Sequence, residues 1–326
     1  MDMNIFSVLS LCGGLAFFLF GINTMSDSLE KLAESKLEIV LRRLTANPLK
    51  SLFLGIGITA AIQSSSAVTV MLVSLVNSGI ITLSQSIGVI MGANIGTTVT
   101  AWLLSLTGIS GTALWINLLK PENFSLGFAL IGVIFLMITK KPKFKHIGLI
   151  LIGFAVLMYG MELMSRAVEP FAKSDTFTGF MTAFQNPLLG ILAGALITAV
   201  IQSSSASVGI LQAVALTGTI SFGAAIPIIT GQNIGTCITA MLSCIGMNSS
   251  AKRVSVVHLS FNIIGTAAAM FLFSCGKILI GFDFLNNPIS PMGIAAMHSV
   301  FNLFTTLLLI PFSHQLETLS YRIIKN

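Results

Sequence analysis

Residues 51–119 contain no Asp, Glu, Lys, Arg or His, and neither do residues 186–247. Uncharged stretches of this length are apolar enough to read as membrane-embedded helices. The rest of the chain agrees: 54% of its 326 residues are hydrophobic and 9% are charged, against about 25% charged in a typical soluble domain. Mean hydropathy is +0.94. The chain is therefore expected to be an all-α polytopic membrane protein with the lipid bilayer as its solvent. Its net charge of +6 does not point to nucleic acid, because basic residues in short cytoplasmic loops are usual for membrane proteins. Cys12, Cys237, Cys244 and Cys275 form no CxxC pair or Cys/His cluster; they read as packing residues, with no metal or disulfide suggested. The N-terminus reads as a retained first span, since Asp2 is acidic and no basic residue precedes Lys31.

Both uncharged stretches carry the same words. Gln63-Ser64-Ser65-Ser66-Ala67 recurs as Gln202-Ser203-Ser204-Ser205-Ala206, an offset of 139. The same offset carries Asn47-Pro48-Leu49 onto Asn186-Pro187-Leu188, and Asn94-Ile95-Gly96-Thr97 onto Asn233-Ile234-Gly235-Thr236. Without gaps, residues 47–108 and 186–247 agree at 26 of 62 positions. This is an internal duplication. Polar groups at membrane depth are costly and usually functional, and here two polar motifs persist in both copies.

The spacing of each copy sets expectations for its fold. The segment 49–80 is too short for two full crossings, and the Gln-Ser-Ser-Ser motif divides it into arms of about 14 residues, each roughly 21 Å long as a helix. It is read as a re-entrant hairpin with the serines at its tip, tolerated where protein or water surrounds it. The segment 83–106 is long enough to span. Gly92, Asn94 and Gly96 at its centre predict a discontinuous helix. The second copy repeats the plan with a hairpin at 186–219 and a broken helix at 222–245. Further spans are expected at 5–25, 124–139, 146–164, 254–275 and 292–312. Residues 26–46 read as a separate amphipathic interfacial helix, with a second such piece at 165–180.

Three full crossings per copy invert the second copy relative to the first. One membrane domain then comprises inverted repeats at 1–139 and 140–326, a plan used by secondary transporters. With the N-terminus outside and the C-terminus cytoplasmic, 13 Lys and Arg lie inside and 4 outside. If each hairpin crossed fully, the division would be 12 to 5. The run Lys140, Lys141, Lys143 and Lys145 separates the two topologies: cytoplasmic in the first, external in the second.

The chemistry available to the duplicated core is neutral. Ser and Thr hydroxyls and Gln and Asn amides both donate and accept, helix N-termini favour an anion, and freed carbonyls suit Na⁺. An oxyanion bound without Arg or Lys needs co-bound cations to balance it. His258, Phe261 and Asn262 share a helix face, as do His298, Phe301 and Asn302; both sets read as helix-stabilising contacts. Glu162 reads either as a snorkelling residue or as a functional one. Gly190 and Gly194 read as a packing pair. No Ser-His-Asp triad can be assembled in the core, so an enzyme is not expected.

On the two QSSS motifs at 63–66 and 202–205, and the paired GANIGTT at 92–98 and GQNIGT at 231–236, the sequence resembles the sodium-dependent phosphate cotransporter family, the bacterial group related to animal type II cotransporters. The resemblance covers most of the chain. It implies Na⁺-coupled uptake of inorganic phosphate by alternating access in the inner membrane, a homodimer, and no cofactor besides Na⁺ as coupling ion. Carried onto this sequence, Gln63, Ser64, Ser65, Ser66, Gln202, Ser203, Ser204 and Ser205 would line the site. Asn94, Thr97, Thr98, Asn233 and Thr236 would face them, with the Na⁺ ligands among the same residues. Thr98 is Cys237 in the second copy, so the half-sites are not equivalent. Some family members carry a PhoU-like domain, which is not expected here, and some use an acidic residue for an extra sodium, which the uncharged core lacks. A phosphate exporter, a transporter of another oxyanion, a passive anion channel and a non-transporting membrane sensor remain as alternatives.

Overall fold

The computed structural model describes residues 5–44, 47–109, 120–172, 174–279 and 281–325. Among these the chain is almost wholly helical and has no strand beyond one isolated bridge between Ser221 and Pro288. The first half contains α1 (Ile5–Leu44), α2 (Pro48–Ile62), α3 (Ser65–Asn77), α4 (Leu83–Ser105) and α5 (Pro121–Ile138). The second contains α6 (Pro142–Ala172), α7 (Asp175–Ala183), α8 (Pro187–Ile201), α9 (Ser204–Ala215), α10 (Phe222–Ser243), α11 (Ser249–Leu279), α12 (Pro291–Leu309) and α13 (Ser313–Ile323).

The surface is apolar where that of a water-soluble domain is polar, and many polar side chains are buried beside the hydrophobic clusters of the interior. Ile5, Phe6, Leu126, Met137, Ile138, Val200, Ile278 and Leu279 are exposed, whereas Thr59, Ser86, Thr198, Gln212, Asn262 and Asn302 are buried. Only a hydrocarbon solvent makes that distribution favourable. Among the described residues six helices are long and apolar enough to cross a membrane. The expected crossing at 124–139 is α5, a shorter apolar helix. The chain is a polytopic membrane protein.

Within each half, one short helix packs lengthwise on one long one through glycines. A Cβ on Gly88 would lie 2.7 Å from Pro48 O, and one on Gly92 2.0 Å from Leu52 O. One on Gly96 would lie 2.7 Å from Thr59 Cβ. These contacts advance together along both chains, so α2 and α4 run parallel. Gly190 against Pro227, Gly194 against Ile228 O, and Gly235 against Ala195 O and Thr198 give the same parallel register for α8 and α10. The Gly190 and Gly194 packing expectation holds.

A parallel register forces the intervening helix to return. Gly88, five residues into α4, lies level with Pro48 at the start of α2. Between Ile62 and Leu83 the chain must therefore travel back by at least the length of α2, about 21 Å. α3 is the element that makes that journey, and α9 makes it in the second half. Each Gln-Ser-Ser-Ser motif thus sits at the tip of a helical hairpin.

The bases of the two hairpins meet different partners. Asn77, at the end of α3, accepts from Asn248 N at 3.0 Å and from Asn248 Nδ2 at 2.8 Å. Arg253 on the next helix donates to Ile324 O at 3.1 and 3.0 Å and lies 4.1 Å above the Tyr321 ring. At the other hairpin base, Gln185 Nε2 donates to Ser221 Oγ at 3.2 Å, and Ile289 N to Ile220 O at 2.8 Å. Pro291 packs beneath Gly108, just beyond the C-terminal end of α4. α4 therefore begins beside the first base and ends beside the second.

α1 and α6, equivalent under the 139 offset, cross antiparallel. Gly14 meets Gly160 and Met164, and Gly21 meets Gly153 and Leu157. The offset converts the Gly14–Gly160 contact into the Gly153–Gly21 contact.

Three expectations are corrected. The broken helices expected at 83–106 and 222–245 are continuous: α4 and α10 run without interruption through Asn94-Ile95-Gly96 and Asn233-Ile234-Gly235. The glycines provide close packing, and the polar side chains bond back to their own helix instead of opening it. The expected boundary between a span at 5–25 and an interfacial helix at 26–46 is also absent. α1 is one helix of 40 residues, because Leu, Glu, Lys and Ala propagate it and no Gly or Pro intervenes before Asn47-Pro48. The side chains at 34–40 and 42–46 of that expected amphipathic face lie outside the described residues. Likewise α6 continues through residues 165–172, so 165–180 is not one separate piece.

Candidate functional site

The two hairpin tips have the same backbone. Gln63 has φ 58° and Gln202 φ 59°, the only non-glycine residues of positive φ among those described. Each caps its helix: Gln63 N donates to Thr59 O at 2.8 Å, and Gln202 N to Thr198 O at 2.7 Å. The next residue swings to an extended conformation, with φ −143° at both Ser64 and Ser203. There its hydroxyl caps the returning helix, accepting from Ala67 N and Ala206 N at 3.2 Å each. A Ser N-cap is well suited to starting a helix. A left-handed Gln is not, and costs about 1–2 kcal/mol. Strain of this kind persists where the surroundings impose it, commonly at binding sites.

The tips meet. Ser66 Oγ donates to Gln202 O at 3.4 Å, and Thr239 Oγ1 donates to the same carbonyl at 3.4 Å. Around this contact lies a cleft of about 110 Å³ lined by all eight QSSS residues and by Ile22, Asn23, Ser26, Asp27 and Glu30 of α1. It has room for a few water-sized groups. α3 and α9 both begin here, so two helix N-termini with their unpaired N–H groups face one small volume. That arrangement accepts an anion.

The two copies are not equal in environment. Gln63 is 7% exposed, whereas Gln202 is exposed. Gln63 Nε2 donates back to Ala60 O, leaving Oε1 buried without a hydrogen-bond partner.

The structure brings together eight of the candidate residues and sets five behind them. Asn94, Thr97, Thr98, Asn233 and Thr236 do not line the cleft among the described residues. Asn94 Nδ2 donates to Ile90 O at 2.9 Å, Thr97 Oγ1 to Ala93 O at 2.9 Å, and Thr98 Oγ1 to Ile95 O at 2.7 Å. Asn233 Nδ2 donates to Ile229 O at 2.9 Å and Thr236 Oγ1 to Gln232 O at 3.0 Å. Their segments back the tips: Gly96 rests on Thr59 and Gly235 on Thr198, the residues whose carbonyls receive the two glutamine N–H groups. Cys237, the counterpart of Thr98, accepts at Sγ from Asn262 Nδ2 at 3.3 Å. Asn262 and Asn302 also donate to His258 O and His298 O, at 3.0 and 2.9 Å, the helix-stabilising contact expected of both His-Phe-Asn sets. Glu162 pairs with Arg166.

Sequence reasoning missed the α1 wall. The uncharged core suggested a wholly neutral site, yet two carboxylates line the cleft. The signal was present: Asn23, Ser26, Asp27 and Glu30 follow i, i+3, i+4, i+7 spacing, a polar stripe on an apolar helix. It was obscured because the charged residues after 25 were assigned to an interfacial helix.

Comparison with known proteins places this geometry. A Bacillus subtilis protein named YqeW and described as uncharacterized is 29% identical over 97% of this chain and 97% of its own length. A Salmonella typhimurium protein named putative inorganic phosphate export protein YjbB is 26% identical over 98% of this chain. The present chain spans 56% of that relative's length. Human sodium-dependent phosphate transport protein 2B is 34% identical over 36% of the chain and 19% of its own length. No solved structure matches. The Na⁺/Pi-cotransporter family matches twice, over residues 17–166 and 156–294, one match for each half of the duplication, and the chain belongs to that family.

Proposed function

We propose that the chain is a secondary transporter that takes up inorganic phosphate with Na⁺ by alternating access. The observation that carries this reading is the convergence of both Gln-Ser-Ser-Ser tips, with two helix N-termini, on one polar cleft inside an apolar bundle. Phosphate offers acceptor oxygens to those N–H groups and to the serine hydroxyls. Among the described residues no Lys or Arg lines the cleft, so co-transported cations balance the anion. Asn94, Thr97, Thr98, Asn233 and Thr236 support the tips from behind. The two halves act as inverted repeats, which the antiparallel α1–α6 crossing and the separate partners of the two hairpin bases support. Rocking of one half against the other about a fixed site then exchanges its access.

A second reading, export, is favoured by the naming of the YjbB relatives. Proteoliposomes separate the two when loaded with labelled phosphate or given it externally, under a Na⁺ gradient of either direction with K⁺ as control. Accumulation that follows the Na⁺ gradient supports symport, inward under an inward gradient. Flux indifferent to Na⁺ overturns coupling and favours a channel, and absence of phosphate flux overturns the substrate.

A further inference from the structure

A groove of about 230 Å³ lies between α1, α5 and α6, lined by residues that the tip cleft does not use. Phe17, Leu126, Ala129 and Val156 make its apolar part. Tyr159 and Glu162 follow one and two turns further along α6 and line it too. Its walls are held by aromatic packing. Phe124 and Phe128 of α5 grip Phe154 of α6, with ring centroids 5.7 and 5.6 Å away, and Phe17 of α1 lies 5.9 Å from Tyr159.

Helix length sets the depth of this groove in a bilayer. Lys141, Lys143 and Lys145 are exposed at the first end of α6. Glu162 follows Lys143 by 19 residues on the same continuous helix, about 28 Å of rise and close to the thickness of the hydrocarbon core. With the lysines in one headgroup layer, Glu162 and Arg166 reach the other. Tyr159 beside them is a residue type that favours that depth. The 139 offset relates these positions to Asn23 and Asp27. On α1 those two line the tip cleft, whereas on α6 the pair stands at the membrane flank.

Glu162 and Arg166 form an ion pair, with side chains 30% and 73% exposed. An exposed i,i+4 pair contributes little by itself. The carboxylate keeps acceptor sites, and the guanidinium keeps N–H donors, beyond the contact they share. A carboxylate and a guanidinium therefore stand together beside an apolar groove. The ligand complementary to that pattern carries an ammonium and a phosphate next to each other on a hydrocarbon chain. A helix from a second protein fits less well, since one turn at about 10 Å across and 5.4 Å of pitch fills about 400 Å³.

We propose that the groove binds one phosphatidylethanolamine of the surrounding bilayer. One acyl chain lies along Phe17, Leu126, Ala129 and Val156. The ammonium donates to the Glu162 carboxylate and to the Tyr159 hydroxyl oxygen, and the phosphate accepts from Arg166. The site stands apart from the tip cleft and does not depend on what that cleft transports.

The test is native mass spectrometry of the purified full chain, exchanged into detergent and titrated with dioleoyl phosphatidylethanolamine, phosphatidylcholine or phosphatidylglycerol. Elution as a single species confirms that each variant is folded. The wild type is expected to bind one phosphatidylethanolamine per chain about tenfold more tightly than phosphatidylglycerol, which has no ammonium. Phosphatidylcholine, whose ammonium has no N–H, is also weaker. Glu162→Gln should weaken phosphatidylethanolamine about tenfold, the scale of losing one charge-assisted contact, and remove the preference among headgroups. Ala129→Trp fills the apolar part and should weaken all three lipids with Glu162 intact. Glu169→Gln removes an exposed carboxylate that does not line the groove and should bind as the wild type does. Equal affinity of the wild type for the three lipids, or a preference for phosphatidylglycerol, overturns the headgroup assignment. Wild-type binding of phosphatidylethanolamine in Glu162→Gln or in Ala129→Trp places the lipid elsewhere and overturns the site.

Discussion

At the scale of single residues, the duplicated motif is constrained by conformation as much as by chemistry. Gln63 and Gln202 hold a left-handed backbone that glycine or asparagine would adopt at lower cost. Their retention in both copies implies that the side chain is needed where the backbone disfavours it. Gln63→Gly is therefore expected to leave thermal stability unchanged or raise it, by about 1 kcal/mol, while Na⁺-driven phosphate uptake falls to background. Gln63→Val should lower stability as well, because a β-branched residue at positive φ is a severe outlier. Thermal unfolding in detergent and uptake in proteoliposomes check the pair. A Gln63→Gly variant that transports normally would make the residue a mere turn former. Ser65→Ala and Ser204→Ala carry the companion expectation of lost uptake with membrane insertion intact. The motif was legible as a site because it is polar, duplicated and surrounded by apolar residues. Its left-handed turn was not, since Gln carries no turn signature.

At the scale of elements, glycine was the residue easiest to misread. Gly92 and Gly96 have low helix propensity, and a break at mid-membrane follows from propensity alone. In the structure they lie where α4 touches the backbone of α2, and tertiary contact decides their role. Gly92→Ala places a methyl against Leu52 O, and Gly231→Ala against Ile191 O, at 2.0 and 2.1 Å. Neither backbone can yield without moving a helix. Each substitution is expected to cost about 1–3 kcal/mol. Gly57 on α2 is exposed, and its Cβ would meet nothing within 4 Å. Gly57→Ala is the control, expected to be neutral or to stabilise by about 1 kcal/mol through helix propensity. Comparing midpoint temperatures of the three variants tests the packing account, and equal stability of all three would return the glycines to a role in local helix opening. The hairpins, by contrast, were legible. The Gln-Ser-Ser-Ser motif divides each segment into two short arms, and arm length is read from sequence alone. The Asp27 and Glu30 wall was not, because which face of α1 meets the tips is set by its crossing with α6 through Gly14, Gly21, Gly153 and Gly160.

At the scale of the whole molecule, topology follows from which ends of elements are joined. Asn77 with Asn248, and Arg253 with Ile324, gather the first hairpin base, the start of α11 and the C-terminal helix at one end. The α1–α6 register brings Pro142, the first residue of α6, toward that same end. Ile220 with Ile289, and Gly108 with Pro291, define the opposite end. Basic-residue bias assigns the first end to the cytoplasm, but that bias is almost the same when each hairpin is counted as a full crossing. The position that decides is Lys143. It is exposed in the structure, as are Lys252 and Asp283. In a background with Cys12, Cys237, Cys244 and Cys275 replaced, Lys143→Cys, Lys252→Cys and Asp283→Cys each offer one accessible thiol. A membrane-impermeant maleimide added to intact cells is expected to label Asp283→Cys at once. Lys143→Cys and Lys252→Cys should react only after permeabilisation. Lys252 is cytoplasmic in both topologies and verifies sealing. External labelling of Lys143→Cys alone would mean that each hairpin passes through the bilayer, which would remove the inversion between the halves and the alternating-access scheme built on it. Protection of Lys143→Cys would leave two hairpins entering from opposite faces to meet at Ser66 and Gln202. A cleft at that junction can be opened from either side without displacing its own ligands.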